Sequence, residues 1–458
     1  MNSHLFPRST HGKITVLEFY LRLSFDDRNL PMTSQKPLRA AVLVDLPRSS
    51  LSGGHVKGWE RLAKAASISD LPLELTVYFS GEPLTEALHA KNLRIKARLK
   101  QLPPVFSTSR LKFLPYVPDN TDLGHHHVEL AEELKDYDVI LTTDGYFCFA
   151  KTAEKVSRLY GIPLVTSFHT DTPAYARIFT RLTIERLFGH TALTRLLLDK
   201  LHLPEWQEAK KIARMKTHLR ACTAVLYKRE EDRQMAATII GENSVYPVRI
   251  GIDRTMFGPH KRDREGVEID YHVPHDHVIV LFVGRLDVGK NIYTLIEAME
   301  TLVSEGRAVH LITAGVGPAE ADLRARLGAN VTVAGFVEPE ELARLYASAD
   351  LLALTSEVEI RSMSSVEAIA SGLPVLVSKK SGIAALCDYT PAMLEVESGV
   401  EAWTKALRDV TGSTNTRIQM TKHAHAYAEA SIASWNDVLA QDFYPALRIA
   451  AETRKKYG

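Results

Sequence analysis

Two kinds of hydrophobic pattern alternate along the first half of the chain. Short runs that are apolar almost throughout are separated by stretches in which apolar side chains recur at helical spacing, as in a helix predicted from His55 to about Ala66. Continuous apolar runs are typical of strands buried on both faces, and helices between them favour a parallel sheet. The runs lie at Arg39–Leu46, Leu73–Phe79, Asp138–Thr142, Pro163–Phe168, Val225–Leu226 and Val245–Ile250.

The same alternation starts again at Val278. Strands are predicted at Val278–Gly284, Val309–Ala314, Val331–Ala334, Leu351–Leu354 and Pro374–Val377. Helices are predicted at Asn291–Glu305, Ala319–Leu327, Pro339–Ser348 and around Glu367. The chain is therefore predicted to be an α/β protein with two Rossmann-like, doubly wound parallel-sheet domains that face one another across a cleft.

Three segments depart from this rhythm. Residues 174–220 read as two or three helices without a strand, and residues 251–277 are polar and turn-rich, which suggests a linker. From Ser434 onward the pattern is that of an amphipathic helix.

These departures set the predicted boundaries. We expect an N-terminal acceptor domain at 36–250, a C-terminal donor domain at 251–433 and a final helix at 434–458. Residues 1–35 are expected to be an extension without fixed structure, and Met32, which precedes a polar leader, is an alternative start to Met1.

Composition narrows the classes of protein that the chain can be. At 458 residues it is too long for one ordinary core, and 45% hydrophobic with 24% charged residues is typical of a soluble globular protein. A net charge of +1 and the lack of a nucleic-acid motif argue against a nucleic-acid partner. No apolar run could span a membrane, and Cys148, Cys222 and Cys387 lack metal-ligand spacing, which favours free thiols in the cytoplasm.

The most informative segment is Ser356–Val375, which follows the predicted strand Leu351–Leu354. Glu359 falls in its strand-to-helix loop and Glu367 inside the helix, with seven residues between them. Both carboxylates are thus expected at the carboxyl end of a buried parallel strand, where open sheets bind ligands and helix starts bind phosphates. A surface acid beside an ordinary helix ion pair is the alternative, but the strand-loop-helix context favours a nucleotide-sugar site.

A second loop, Gly284–Asn291, lies between a predicted strand and helix of the same domain. Arg285 and Lys290 would both reach a diphosphate there, the arginine through its planar fork and the lysine as a compact charge. A solvated turn with surface cations is the alternative, and the pairing with Ser356–Val375 favours the ligand site.

Weaker evidence for ligand-binding positions comes from glycines and histidines. Gly53 and Gly54 follow the first strand, where glycine either lets the backbone approach a ligand or simply makes a turn. His169 ends a strand and either hydrogen-bonds a substrate hydroxyl or has a structural role. The histidines at 125–127 cannot converge on one ion from one helix or strand, so we expect a polar helix start there and no metal site.

The stretch 177–220 is basic, with ten Lys or Arg against four acidic residues between 174 and 220. Apolar residues such as Trp206 are interleaved with these charges. The stretch is therefore either an ordinary solvated helical face or a surface that rests on anionic lipid.

Taken in order, seven marks within residues 38–445 resemble the family-4 retaining glycosyltransferases (group 1 glycosyltransferases) of GT-B architecture. The marks are Gly53–Gly54, Ser167–His169, Arg249–Asp253, Gly284–Asn291, Gly315–Pro318, Gly335–Leu342 and the Glu359/Glu367 pair with Gly372–Pro374. The resemblance implies transfer of a hexosyl group from a UDP- or GDP-sugar to a lipid or glycan acceptor, with retention and without a metal or cofactor. It also implies that the final helix crosses back onto the first domain.

The resemblance implies catalytic roles for four residues. Arg285 and Lys290 would hold the donor diphosphate, Glu359 would contact the sugar hydroxyls, and His169 would approach the sugar from the opposite domain.

It also implies a donor-binding set. Within this set Glu367 would take the ribose hydroxyls, Phe336 and Val337 would lie at the base, and Met363 and Ser364 would offer amides to sugar and phosphate. Gly54 would leave room for the diphosphate. The full donor-binding set is Gly54, Gly284, Phe336, Val337, Met363, Ser364 and Glu367.

Two departures from the family pattern keep other functions open. Arg361 and Ser362 stand where an aromatic residue or Leu and then Gly are usual, and Tyr227–Lys228 replaces a small hydroxyl residue. The alternatives are an impaired sugar-nucleotide-binding or scaffold protein of the same fold, and a GT-B phosphorylase or epimerase.

Overall fold

The computed structural model describes residues 36–49, 52–82, 96–108, 122–360 and 362–457. Pro37–Gly458 form one compact unit that contains both domains. The predicted extension at 1–35 and Arg361 lie outside the described residues.

The first domain is built around a seven-stranded sheet. Its strands are β1 Leu38–Val44, β2 Leu73–Ser80, β3 Ala97–Leu102, β4 Val139–Thr142, β5 Leu164–Ser167, β6 Ala224–Tyr227 and β7 Val245–Pro247. They pair in the order β3-β2-β1-β4-β5-β6-β7, each pairing being parallel. The central strands β4, β5 and β6 are buried along their whole length, which explains their uninterrupted apolar runs.

Helices cover both faces of this sheet. They are α1 Gly54–Ile68, α2 Val128–Leu134, α3 Cys148–Tyr160, α4 Thr172–Phe188, α5 Ala192–Arg195, α6 Leu203–Ala221 and α7 Glu230–Ile240. A π-helical turn at Leu196–Lys200 connects α5 to α6. The helical insertion predicted at 174–220 is therefore present as α4 to α6.

The second domain holds a six-stranded sheet in the order β10-β9-β8-β11-β12-β13. Its strands are β8 Val278–Val283, β9 Val309–Ala314, β10 Val331–Val333, β11 Leu351–Leu354, β12 Val375–Ser378 and β13 Met393–Val396. Its helices are α8 Arg264–Asp270, α9 Ile292–Ser304, α10 Glu320–Leu327, α11 Pro339–Ser348, α12 Met363–Ala370, α13 Val400–Thr411 and α14 Thr414–Ser431. The two parallel sheets confirm the predicted fold class.

The prediction of a linker at 251–277 is wrong in its second half. Helix α8 lies there, its N-terminus capped by the Asp263 side chain, which accepts a hydrogen bond from the Gly266 amide at 3.1 Å. Val267 is fully buried in the core of the second domain. The helix is short and mostly charged, so one buried valine gives little periodic signal in the sequence.

Several elements had no prediction, and β3 is typical of them. This edge strand, Ala97–Leu102, is exposed or half-buried between its two ends, so it lacks a continuous apolar run. Strand β13 has the same pattern of buried ends and exposed middle.

The chain ends in α15 Trp435–Asp437, a π-helical segment Val438–Phe443 and α16 Tyr444–Tyr457. Val438, Phe443 and Leu447 belong to the same hydrophobic core as β1 and α1, so this end packs on the first domain. The Ile252 amide donates a hydrogen bond to the Ala433 carbonyl at 2.9 Å, where the chain passes between domains twice. The predicted domain boundaries themselves stay predictions.

Candidate active site

A cleft of about 940 Å³ separates the two sheets at their carboxyl ends. In the second domain its wall follows β8 and β11, which are neighbours although the chain leaves them toward opposite sides of the sheet. Such a switch point is where open α/β sheets bind ligands. Every residue of the predicted site lines this cleft: Gly54, His169, Gly284, Arg285, Lys290, Phe336, Val337, Glu359, Met363, Ser364 and Glu367.

The centre of the second-domain wall is an ion pair between Lys290 and Glu359. Lys290 closes the 3₁₀ turn Val288–Lys290 after β8, and Glu359 lies in the loop after β11. Burial lowers the pKa of Lys290, but the Glu359 carboxylate outweighs it, so that pKa lies above its ordinary value. The two sequence signals thus meet in space, and the lysine is fully charged at neutral pH.

Arg285 lies beside this pair and is more accessible, with 53% of its side chain exposed. Its guanidinium is 3.3 Å from the Asp287 carboxylate. Gly284 precedes it with φ of +150°, a backbone conformation that residues with a side chain rarely adopt. The turn therefore presents a partly exposed cation to the cleft from a backbone conformation that glycine makes possible.

The second glutamate, Glu367, is buried in α12 and is held from both sides. Arg61 of α1 donates a hydrogen bond to Oε1 at 2.8 Å, and the Tyr346 hydroxyl donates to Oε2 at 3.3 Å. Burial raises the pKa of Glu367, and these two partners offset the rise only in part. The contact to Arg61 joins the two domains across the cleft.

Helix α12 begins at a close approach between the two walls. Met363 and Ser364 are its first residues, and the N–H groups of a first helical turn have no acceptor within the helix. A Cβ added to Gly54 would lie 2.8 Å from the Met363 Cγ, so glycine allows this approach. These amides could bind an anion, as helix N-termini do.

On the first-domain wall, His169 follows β5 and Lys228 follows the neighbouring strand β6. The Lys228 ammonium donates a hydrogen bond to His169 Nδ1 at 2.9 Å, and Ser167 contacts Nε2. Because an ammonium can only donate, Nδ1 must be the acceptor and Nε2 carries the proton. Burial, Lys228 and His55 all lower the pKa of His169, so its ring is neutral.

The remaining donor residues lie after β10. Phe336 is exposed and Val337 is partly buried against the second-domain core. Geometry thus brings the whole predicted set to one cleft, while the role of each residue stays a prediction.

Arg61 and Tyr175 are among the cleft residues that sequence reasoning missed. Arg61 lies seven residues after Gly54, two turns along the same helix face, and this spacing was the available signal. Tyr175 of α4 reaches across to the second domain: a Cβ on Gly289 would lie 3.1 Å from its ring. The charges of Lys290, Glu359 and Arg285 all act on the pKa of Tyr175, although burial, which raises it, acts most strongly.

The consecutive histidines lie outside this cleft. His127 caps α2, its Nδ1 accepting a hydrogen bond from the Leu130 amide at 3.2 Å, so the predicted polar helix start is confirmed. Within the described part of the chain, no group of three or more His, Cys, Asp or Glu side chains is arranged to hold a metal ion.

Residues 264–427 match the family model described as glycosyl transferases group 1. The second domain of the chain is similar to the group 1 glycosyltransferases. The sulfoquinovosyl transferase SQD2 of Arabidopsis thaliana is 26% identical over 351 residues, which cover 76% of this chain and 61% of that protein. A GDP-mannose-dependent alpha-(1-6)-phosphatidylinositol dimannoside mannosyltransferase of Mycobacterium tuberculosis is 30% identical over 162 residues, 35% of this chain and 40% of that protein.

The chain therefore spans less than two thirds of the length of either relative over the matched residues. Among solved structures, Anabaena HepE in complex with UDP-glucose superimposes with a TM-score of 0.59 at 16% identity, covering 92% of this chain and all of that chain. At this identity the likeness shows the fold alone, and that fold is GT-B.

Proposed function

We propose that this protein is a group 1 glycosyltransferase that transfers a hexosyl group from a UDP- or GDP-sugar to a lipid or glycan acceptor, with retention at the anomeric carbon. The observation that carries the proposal is the Lys290–Glu359 pair at the switch point of the second sheet. A cation and a carboxylate at one point of a cleft match a diphosphate joined to a sugar that carries hydroxyl groups.

Leaving-group stabilisation is the main demand of this reaction. Negative charge gathers on the departing diphosphate, and fixed cations and N–H groups in a desolvated cleft lower its energy. Lys290, Arg285 and the first amides of α12, at Met363 and Ser364, are the groups we assign to this task. Glu359 would then release Lys290 to the phosphate and accept hydrogen bonds from the sugar.

The proposed remainder of the donor site follows from the same wall. Glu367 would hold the ribose through the oxygen that Tyr346 contacts, with Arg61 keeping it ionised. Phe336 and Val337 would lie against the base, and Gly284 would shape the turn beneath the phosphates.

For the chemical step we prefer attack on the face from which the diphosphate leaves. Glu359 is engaged by Lys290, and His169 Nδ1 by Lys228, so neither group is poised as a nucleophile. The leaving phosphate oxygen would take the proton of the acceptor hydroxyl, and the domains would exclude water by closing. This scheme requires no metal ion, so EDTA should leave turnover unchanged.

Relatives support the donor and acceptor classes without deciding between them. The HepE structure contains UDP-glucose, and the mycobacterial relative is named for GDP-mannose and a phosphatidylinositol acceptor. UDP-sugars and GDP-sugars therefore both remain proposed donors.

The test is thermal stabilisation by UDP-, GDP- and ADP-sugars, followed by turnover and NMR of the product anomer. We expect one nucleotide class to raise the melting temperature, and its sugar to be transferred with its anomeric configuration kept. Nucleotide binding without turnover over a broad acceptor panel would favour the scaffold alternative. An inverted product would contradict retention.

A membrane surface is the partner that we propose for the helical insertion. Within α4 to α6 seven large apolar side chains are exposed, at Leu187, Phe188, Leu193, Leu196, Leu201, Trp206 and Ile212. Ten basic residues lie in the same stretch, a combination that suits anionic lipid. No described helix is long and apolar enough to cross a membrane.

This proposal is tested by sedimentation with vesicles of phosphatidylcholine and phosphatidylglycerol. The double variant Leu201→Ser, Trp206→Ser should reduce binding about tenfold because it removes two exposed apolar contacts. Leu159→Ser is the matched control, since Leu159 is 75% exposed in the same domain but outside the insertion. Equal binding by all three proteins would contradict the proposal.

A further inference from the structure

Tyr175 is an aromatic side chain by which the helical insertion reaches the second domain. It lies in the first turn of α4 and lines the cleft. A Cβ added to Gly289 would lie 3.1 Å from the Tyr175 Cε1. The same position is 3.2 Å from the Asp287 carboxylate and 3.7 Å from the Arg285 guanidinium. Although α4 belongs to the first domain, the Tyr175 ring therefore lies against the second-domain wall, beside the turn that ends in Lys290.

Contacts within the first domain hold the Tyr175 ring in place. Asp171 caps α4 with its side chain, and its carbonyl oxygen accepts a hydrogen bond from the Tyr175 amide at 3.0 Å. Arg229 donates a hydrogen bond to the Asp171 carboxylate at 2.9 Å and pairs with Asp232 at the same distance. The Phe179 ring stacks on the Tyr175 ring, with centroids 5.7 Å apart and 15° between the planes. The start of α4 thus carries a fixed aromatic ring into the cleft.

The charges around the Tyr175 phenol are those of the proposed diphosphate site. Burial raises the pKa of Tyr175, and the cations of Lys290 and Arg285 offset that rise only in part. The phenol therefore keeps its proton at neutral pH and can donate a hydrogen bond. In the described part of the chain no group accepts a hydrogen bond from this hydroxyl. The donor is thus available to a ligand in the cleft.

We propose that Tyr175 is a catalytic residue whose hydroxyl donates a hydrogen bond to the terminal phosphate of the bound nucleotide sugar. This inference rests on the proposed function, in which Lys290 and Arg285 bind the diphosphate and Glu359 binds the sugar. When the bond between the anomeric carbon and the phosphate oxygen breaks, its electron pair stays on that phosphate. A donor already in place stabilises this added charge, and the phenol keeps its own proton throughout.

The position of Tyr175 on the first domain gives this hydrogen bond a second consequence. Arg285 and Lys290 stay with the donor site however the two domains are arranged, because they belong to the second domain. The Tyr175 hydroxyl reaches the phosphate only when the domains are close together. It therefore adds leaving-group stabilisation in the closed cleft, where water is excluded.

The experiment removes the hydroxyl and keeps the ring. Tyr175→Phe retains the contacts with Gly289 and Phe179. Tyr246→Phe is the matched control, because the Tyr246 hydroxyl donates to the Asn243 carbonyl at 3.0 Å in the same domain, outside the cleft. Calorimetry measures the dissociation constants of UDP and UMP, and of GDP and GMP, for each protein. Turnover is measured with the nucleotide sugar found by thermal stabilisation, and melting temperatures are compared first.

We expect wild type to bind the nucleoside diphosphate more tightly than the monophosphate, and Tyr175→Phe to lose about tenfold of that preference. We expect kcat of Tyr175→Phe to fall about tenfold or more, because the hydrogen bond strengthens as charge develops on the phosphate. Monophosphate binding and the melting temperature should stay as in wild type. Tyr246→Phe should match wild type in both preference and turnover.

Two results would overturn the inference while leaving the proposed function intact. One is a Tyr175→Phe protein with the same diphosphate preference and the same turnover as wild type. The other is an equal loss of affinity for monophosphate and diphosphate, which would assign the hydroxyl to a part of the ligand other than the terminal phosphate. If wild type bound no nucleotide at all, the proposed function would be wrong, and this inference with it.

Discussion

The two walls of the cleft are built from different chemistry. The second-domain wall holds paired charges close to one switch point, with Lys290 against Glu359 and Arg285 beside Asp287. The first-domain wall holds stacked neutral imidazoles, His55 and His169, with the Lys228 ammonium 2.9 Å from His169. One wall is suited to a diphosphate, and the other to the groups that distinguish one sugar or acceptor from another.

We infer from this difference that the second-domain wall serves the reaction and the first-domain wall serves the choice of substrate. A wall of paired charges can serve any nucleotide sugar, because the diphosphate is common to all of them. We expect the first-domain wall, with its stacked rings, to contact the part of the substrate that varies between sugars or acceptors. We therefore expect changes to the second-domain wall to reduce turnover generally, and changes to the first-domain wall to alter preference.

The largest expected effect comes from Lys290→Ala. Loss of the cation that we propose binds the diphosphate should lower kcat/KM about 100-fold or more for every donor that is used. The measurement is steady-state turnover with the donor found by thermal stabilisation, together with the melting temperature.

The control for Lys290→Ala is Lys380→Ala, which breaks a lysine–glutamate pair of the same domain outside the cleft, where Lys380 is 3.2 Å from Glu357. It should leave turnover near wild type. If folded Lys290→Ala had wild-type turnover, the proposed division of roles between the two walls would be wrong, because the second-domain wall would then not be needed for the reaction.

The second-domain wall is the part that sequence predicts well. Lys290, Glu359 and Met363 each lie within a few residues of a strand end, so a local motif places them at the sheet edge. The residues of the first-domain wall come from three connections that are far apart in the chain. His55, His169 and Lys228 meet only because the strand order is β1-β4-β5-β6, and periodicity does not determine that order.

The contact between the two walls could not be predicted from local sequence patterns either. Arg61 and Glu367 are far apart in sequence, and their 2.8 Å contact depends on how the domains face each other. Local motifs thus predict which residues line a wall, while the partners across the cleft require the fold.

The Arg61–Glu367 contact gives the next prediction. Arg61→Gln removes the cation that partly offsets the raised pKa of Glu367, so this pKa should rise further. If the ribose needs the ionised carboxylate, donor binding is present above the pKa of Glu367 and is lost as the pH falls through it. Donor affinity at neutral pH should fall about tenfold, and its loss on acidification should begin at a higher pH than in wild type.

Calorimetry from about pH 5 to about pH 8 with the bound nucleotide sugar checks this prediction. Arg233→Gln is the matched control, because Arg233 pairs with Glu230 at 2.6 Å in the same domain and outside the cleft. Tighter donor binding by Arg61→Gln would mean that Arg61 competes with the ribose for Glu367, and the two walls would then oppose rather than support each other.

The smallest expected effect comes from Gly54→Ala, at a close approach of the walls. The added methyl group would meet Met363 Cγ at 2.8 Å, and because a methionine side chain can move, we expect only a few-fold loss of kcat/KM. Gly53→Ala is the matched control, since no atom lies within 4 Å of a Cβ there. Alanine is the better helix former within α1, so Gly54→Ala should not weaken the helix, whereas Gly53 is the N-cap, where alanine is less favourable than glycine, and the melting temperature of Gly53→Ala measures that cost. A loss of turnover confined to Gly54→Ala, with its melting temperature unchanged, would mean that the closeness of the walls, and not only the chemistry of each, contributes to the reaction. Equal turnover in the two variants would instead mean that the walls act independently.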